Sequence, residues 1–297
     1  MKVALTGATG FIGSHVLTEL RDHEHEVTAL VRDASHADML ADRGATPQVV
    51  DLYDRGVVVG ALSAADAAIH TASPGDATSA DLDSAVVDAA IESFAGTGKP
   101  FLDVSGEWIY GNNLSIDENS PIDSPPLVAW KEAVERQVLA ASDMRGVVIV
   151  SSTAYGDGGG GMPGLLLNSP RDDAGNLIML GSGQQHWSTV HVVDLASFFR
   201  RALEDDSARG RYVIGDGLNP TVAELTEAAA VAVGAPGAVP GSDDEARARL
   251  GDYFAEVLLL DQGVVASKAR TELDWAPSHP GLVEEFRHGS YRKVTTG

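Results

Sequence analysis

The sequence predicts an α/β protein built on a doubly wound parallel sheet, with a smaller C-terminal lobe. Short β-branched runs alternate with helix-length segments through the first two-thirds of the chain, and this texture breaks into Gly- and Pro-rich sequence past Tyr155. A glycine-spaced turn, Gly7-Ala8-Thr9-Gly10-Phe11-Ile12-Gly13, joins the first run to the first helical pattern. Strands separated by helix-length segments indicate βαβ units with right-handed crossovers.

Taken in order, Lys2–Leu5 reads as a strand, Ile12–Arg21 as a helix and Glu26–Val31 as the second strand. Ser35–Arg43 reads as helical, Pro47–Val50 as a strand, Gly56–Ser63 as a short helix and Ala67–Thr71 as a strand. A long helix is expected over Ala80–Phe94, a strand over Pro100–Val104, a helix over Leu127–Ser142 and a strand over Val147–Ser151. Gly156–Gly161 is a glycine-rich loop, and a Pro/Asn/Asp-rich stretch runs to Gly183 before strand-to-helix character resumes over Val190–Leu203. Past Gly215 the pattern predicts a helix over Pro220–Val233, a linker over Gly234–Gly241, an Asp/Glu/Arg/Ala-rich helix and a last helix near Leu282–His288. The expected organisation is one lobe of residues 1–155, to which 190–203 return, and a second of 156–189 and 204–297.

The 297 residues can bury a core without covalent staples, and a hydrophobic fraction of 44% is that of a globular protein. No cysteine is present, which excludes disulfides, thiolate chemistry and cysteine-held zinc. A net charge of −22 repels nucleic acid and anionic membranes, so neither is expected as a partner. With no signal-like leader and no long apolar run, the expected location is the cytoplasm. His23 and His25 flank Glu24 without further histidines at ligand spacing, and no metal site is expected.

The glycine turn carries the strongest chemistry. Gly7 serves a tight turn, Gly10 lets backbone approach a pyrophosphate, and Gly13 lets the helix pack on the sheet. The N–H groups and positive dipole end of the helix then face the phosphates. This is the logic of a Rossmann-type dinucleotide site, which makes residues 1–155 the dinucleotide-binding lobe and the remainder the substrate lobe.

The spacing Gly7-x-x-Gly10-x-x-Gly13 resembles the short-chain dehydrogenase/reductase superfamily, in particular its extended, epimerase-like branch. The resemblance spans nearly the whole chain: Asp51-Leu52, His70-Thr71-Ala72, Ser105 to Gly111 ending in Tyr-Gly, Ala154-Tyr155-Gly156 and Val190 to Ala196 follow in the family's order. It implies cofactor contacts from Gly7, Thr9, Gly10, Phe11, Ile12, Gly13, Asp51, Leu52, Thr71, Ala72, Lys131, Ser151 and Thr153. It also implies a homodimer face on the helices Ala80–Phe94 and Leu127–Ser142. NAD-preferring relatives carry an acid at the end of the second strand; here Val31 stands there and Arg32 follows. Arg32 can pair with a ribose 2′-phosphate, so NADP(H) is favoured over NAD.

Ordinary members combine a Ser/Thr with a Tyr and a Lys four residues apart. Lys131 matches the lysine, but Leu127 occupies the tyrosine position and Gly106 the Ser/Thr position, one residue after Ser105. Leucine can neither donate nor accept a proton. The substitutes on offer are Lys131 alone, Ser105, Glu107 (where dehydratase-type relatives carry an acid) and Tyr155, whose phenol would sit at the lobe junction. His186, Trp187 and His191 are candidates for lining the substrate cleft. The expected activity is hydride transfer between NADP(H) and a small carbonyl, imine or sugar-like substrate with a non-standard proton donor. The alternative is a non-catalytic NADP(H)-binding sensor or assembly protein.

Overall fold

The computed structural model describes residues 1–292. Seven strands form one parallel sheet: β1 (Lys2–Thr6), β2 (Glu26–Val31), β3 (Thr46–Val49), β4 (Ala67–His70), β5 (Pro100–Gly106), β7 (Arg145–Ser151) and β11 (Gly210–Ile214). Their order is β11-β7-β5-β4-β1-β2-β3, which reverses between β1 and β4, the kind of switch point at whose carboxyl ends open sheets bind ligands. Three two-stranded parallel ladders lie outside the sheet: β6 (Asn113–Ile116) with β13 (Gln262–Val264), β8 (Thr153–Tyr155) with β10 (Thr189–His191), and β9 (Leu177–Ile178) with β12 (Ala238–Val239).

The sheet is covered on both faces, which is why β1 and β4 read as uninterrupted small and branched apolar residues. On one face, α1 (Phe11–Asp22) lays Val16, Leu17 and Leu20 against Phe198, Phe199 and Leu203, which lie on the helix Val192–Glu204. On the other, α3 (Arg55–Ser63), α4 (Ser79–Phe94) and α5 (Lys131–Ala140) bury Val58, Leu62, Val86, Phe94, Val134 and Val138. The three-and-four spacing of these residues puts each set on one helix face. A third core gathers Tyr155, Trp187, Leu225, Leu258 and Phe286.

Five elements add to or differ from expectation. β11 was not predicted, because its apolar run Tyr212-Val213-Ile214 is too short to show a period, and its burial comes from pairing with β7 and packing in the two cores that flank the sheet. α5 begins at Lys131 rather than Leu127: Pro125 and Pro126 precede it, and the intervening residues form turns closed by Val128 N–H to the Pro125 carbonyl and Lys131 N–H to the Val128 carbonyl. The helix Gly161–Leu167 lies in the stretch read as loop, and the helices Asp252–Leu258 and Ser267–Leu273 lie in segments the pattern left unassigned. No helix among the described residues is long and apolar enough to cross a membrane.

Candidate functional site

The glycine turn is built by exclusion of side chains. Gly7 has φ +75°, and a Cβ there would lie 2.6 Å from the Ala72 nitrogen and the Thr71 carbonyl carbon. At Gly13 a Cβ would collide with the Gly7 carbonyl and approach the Thr71 hydroxyl to 2.6 Å. The Gly10 N–H closes the turn on the Gly7 carbonyl at 2.8 Å, and Gly10 then starts α1 from extended backbone. No side chain caps α1, so its first-turn N–H groups, at Phe11, Ile12 and Gly13, are left for an external acceptor. Thr9 and Gly10 are exposed beside them. This cradle fits a pyrophosphate, because a Cβ would fill the space at two of its glycines.

Behind the turn, Thr71 donates its hydroxyl to the Thr6 carbonyl at 2.8 Å, and the Ala72 N–H reaches the Thr6 hydroxyl at 3.3 Å. Arg32 is exposed directly after β2. Its neighbour Asp33 is committed elsewhere: the Ser35 N–H donates to its carboxylate at 2.8 Å and, as the main cause, holds it below the usual range. Asp51 is exposed and accepts from the Tyr53 N–H at 3.0 Å, while Leu52 packs half-buried on the helical core below. Ser151 is buried with its hydroxyl donated to the Ser152 carbonyl at 2.7 Å, and Thr153 is half-buried in β8.

Lys131 is not an exposed lysine pairing along its helix with Glu135. Glu135 is taken by Arg211 at 2.5 Å. The Lys131 ammonium is buried between Asp83 Oδ2 at 2.5 Å and Asp103 Oδ2 at 3.3 Å. Asp83 Oδ1 meets His70 Nε2 at 3.2 Å, and His70 Nδ1 meets the Thr6 hydroxyl at 2.6 Å. His70, Asp83 and Asp103 bring ligand-type atoms within 4.8 Å of one another, and the cation held among them is the ammonium itself. Burial works against every charge here, but for Lys131 it is outweighed by Asp103 and Asp83, which raise its proton affinity. Asp83 also overcomes its burial, through the His70 hydrogen bond and the lysine charge, and sits below the usual carboxylate range. Asp103, wholly enclosed and with Oδ1 unpartnered, is pushed up by burial.

Past the end of β5, Glu107 opens a short 3-10 turn and is buried, and burial pushes its carboxyl up to about 8. Ser152 and the Thr153 N–H face it and favour the charged form, but Glu107 Oε2 and the Ser152 hydroxyl both remain without a hydrogen bond. Gln262 fixes the turn by donating to the Glu107 and Gly111 carbonyls at 2.9 and 2.8 Å. The Ser105 hydroxyl is buried without a hydrogen bond among the described residues, while Gly106, the position matched to the Ser/Thr from sequence, is exposed. Ser105 therefore does not stand in for the missing hydroxyl.

Three further expectations are corrected. Tyr155 is fully buried in the third core; its hydroxyl donates to the Pro280 carbonyl at 2.8 Å and reaches Asp216 at 3.4 Å, so it is a packing residue rather than a proton donor. Trp187 is buried in the same core and donates its indole N–H to the Leu258 carbonyl at 3.0 Å, so it is a packing residue. His191 caps the helix Val192–Glu204 by accepting from the Val193 N–H, and its ring stacks on His279 at 4.2 Å. His186 alone of the three is half-exposed, where Nδ1 pairs with Asp261 at 2.8 Å. The residues missed from sequence are Asp83 and Asp103. The available signal was a carboxylate inside the apolar run of β5, where burial demands a partner.

Comparisons with known proteins agree with this architecture. A Streptomyces 3-diazoavenalumate denitrifying reductase is 29% identical, the alignment covering 94% of this chain and 97% of the relative. The bovine epimerase family protein SDR39U1 is 28% identical, with 89% and 92% covered. The crystal structure of human SDR39U1 with NADPH superposes with a TM-score of 0.75 at 23% identity, over 98% of this chain and 99% of that one. Thermotoga maritima UDP-glucose 4-epimerase gives 0.75 at 19% identity, over 98% and 97%. Residues 3–215 match the model of the NAD dependent epimerase/dehydratase family, and the chain belongs to that family, with its NAD(P)-binding, oxidoreductase-like fold.

Proposed function

We propose that this protein is an NADP(H)-dependent oxidoreductase that reduces a small carbonyl, imine or sugar-like substrate, with Lys131 as the proton donor. The observation that carries the reading is the side-chain-free turn from Gly7 to Gly13 opening on the uncapped start of α1. Arg32, exposed after β2 while Asp33 is engaged by Ser35, is suited to a 2′-phosphate and supports NADP(H) over NAD. The reductase named among the relatives and the NADPH in the human SDR39U1 structure point the same way.

The bound nicotinamide supplies or accepts hydride; the chain's own groups bind it and manage the proton. Leu127 lies in the turns before α5 and carries no proton, and the Tyr155 hydroxyl is engaged by Pro280. Glu107 is enclosed, whereas the Lys131 side chain keeps 9% exposure at the carboxyl end of the sheet. Reduction asks for one proton, which a single ammonium supplies; epimerisation and dehydration ask for matched acid–base pairs. The test is to mix the protein with NADPH and a panel of carbonyl and imine compounds and follow absorbance at 340 nm. Lys131→Met is expected to bind NADPH and lose turnover. The tight hold of two carboxylates on Lys131 favours the second reading, a non-catalytic NADP(H) sensor; tight NADPH binding with no oxidation across the panel would establish that one instead.

A further inference from the structure

A buried ionic cluster between a doubly covered parallel sheet and two of its helices calls for an explanation. Central strands of this kind are ordinarily apolar on both faces, and an apolar replacement for a buried ion pair is often neutral or stabilising. Here Thr6 of β1, His70 of β4, Asp83 of α4, Asp103 of β5 and Lys131 of α5 converge instead on one chain of contacts.

The hydrogen-bond directions follow from counting donors. The Thr6 hydroxyl accepts from the Thr71 and Ala72 N–H groups, each at 3.3 Å, so its own proton goes to His70 Nδ1 at 2.6 Å. His70 therefore carries its proton on Nε2 and donates to Asp83 Oδ1 at 3.2 Å. Asp83 receives donors on both oxygens, from His70 and from Lys131, which suits an ionised carboxylate. An ammonium has three N–H bonds. Two are taken by Asp83 and Asp103, and the third has no hydrogen-bond partner among the described residues, with the Trp130 ring centroid 5.5 Å from the ammonium. The same Thr6 hydroxyl that starts the chain ties the backbone of Thr71 and Ala72 against which Gly7 turns. The cluster and the cofactor turn are thus built on one support.

We propose that Asp83, oriented by His70 and Thr6, and Asp103 are positioning residues that hold the Lys131 ammonium charged and fixed beside the cofactor turn, with one N–H free to hand its proton to the substrate. This rests on the reading of Lys131 as the proton donor. Bound NADPH would supply the hydride for the carbonyl carbon and be left as NADP⁺, the C=O π pair passing to oxygen. Lys131 would deliver the proton that oxygen then needs, an O–H bond forming as a Lys131 N–H bond breaks, and the amine would regain a proton from water at its exposed edge.

The experiment is trace acetylation of the intact protein with acetic anhydride across a pH series, with Lys131 modification read by mass spectrometry. It gives the midpoint at which the ammonium becomes a reactive amine. Asp83→Asn and Asp103→Asn are each expected to lower that midpoint by about one to three pH units; Asp103→Asn serves if Asp83→Asn does not fold. The alkaline limb of kcat should move down in step with KM unchanged, and Asp83→Glu should restore both. An unmoved midpoint in both Asn variants overturns the proposal, and so does a moved midpoint with an unmoved kcat limb. Absence of turnover in the wild type on every substrate sinks the enzymatic reading alone, since the labelling midpoint still decides whether the carboxylates hold the charge.

Discussion

The glycine turn and the Lys131 cluster sit side by side at the carboxyl ends of β1 and β4, yet they are made of different material. The turn is backbone: its recognition comes from N–H groups and from the absence of Cβ atoms at Gly7 and Gly13. The cluster is side chain, assembled from five elements spread between Thr6 and Lys131. A backbone site tolerates changes around it so long as no atom intrudes. A side-chain site fails by charge imbalance, because each member is neutralised by the others. This difference sets how each breaks.

The largest effect is expected at the turn. Gly13→Val drives a branched side chain into the Gly7 carbonyl and should abolish NADPH binding outright, measured by quenching of protein fluorescence, with unfolding by denaturant confirming that the fold survives. In the cluster, Lys131→Met leaves two enclosed carboxylates without a cation and should lower stability by about 3–5 kcal/mol at neutral pH. If the variant unfolds no more readily than wild type in urea, the cluster is not held by charge balance.

Glu107 sharpens the comparison, because it is a buried acid that no cation neutralises. Its folded value, about 8, lies above the ordinary 4.5, so the folded state holds the proton more tightly than the unfolded one. The stability this confers is present below the unfolded value and is lost as pH rises from about 4.5 towards 8. Glu107→Gln should remove that loss, making the variant more stable than wild type above pH 8 by an amount of the order of 4 kcal/mol. Parallel denaturation curves at acid and alkaline pH test this; a wild-type stability flat across that interval would count against it. The smallest effect is expected at Arg32→Ala, which should weaken NADPH binding by about 1.5–3 kcal/mol and leave NADH binding unchanged. Equal loss for both cofactors would assign Arg32 to something other than the 2′-phosphate.

Local signals account for what could be read in advance. The alternation of strands and helices, the two-faced burial of β1 and β4 and the glycine spacing all lie within a few residues of one another, so period and composition suffice to place them. Lys131 and the leucine at position 127, four residues before it, were legible for the same reason. The partners of Lys131 were not: Asp83 and Asp103 stand 48 and 28 residues before it, and only the adjacency of α4, β5 and α5 brings them together. Tyr155, Trp187 and His191 were misread as site residues for the converse reason. An aromatic or histidine beside a motif carries no local mark of whether its polar atom faces a cleft or a carbonyl such as that of Pro280 or Leu258.

By itself, then, the sequence determined the sheet class, the cofactor turn and the leucine four residues before Lys131, because each depends on chain stiffness, periodicity or residue identity at one place. The tertiary structure decided that β11 closes the sheet, that Lys131 is buried between two carboxylates and that Glu107 is shut away from water. Burial and charge pairing are properties of neighbours in space, and neighbours drawn from distant parts of the chain appear only once it has folded.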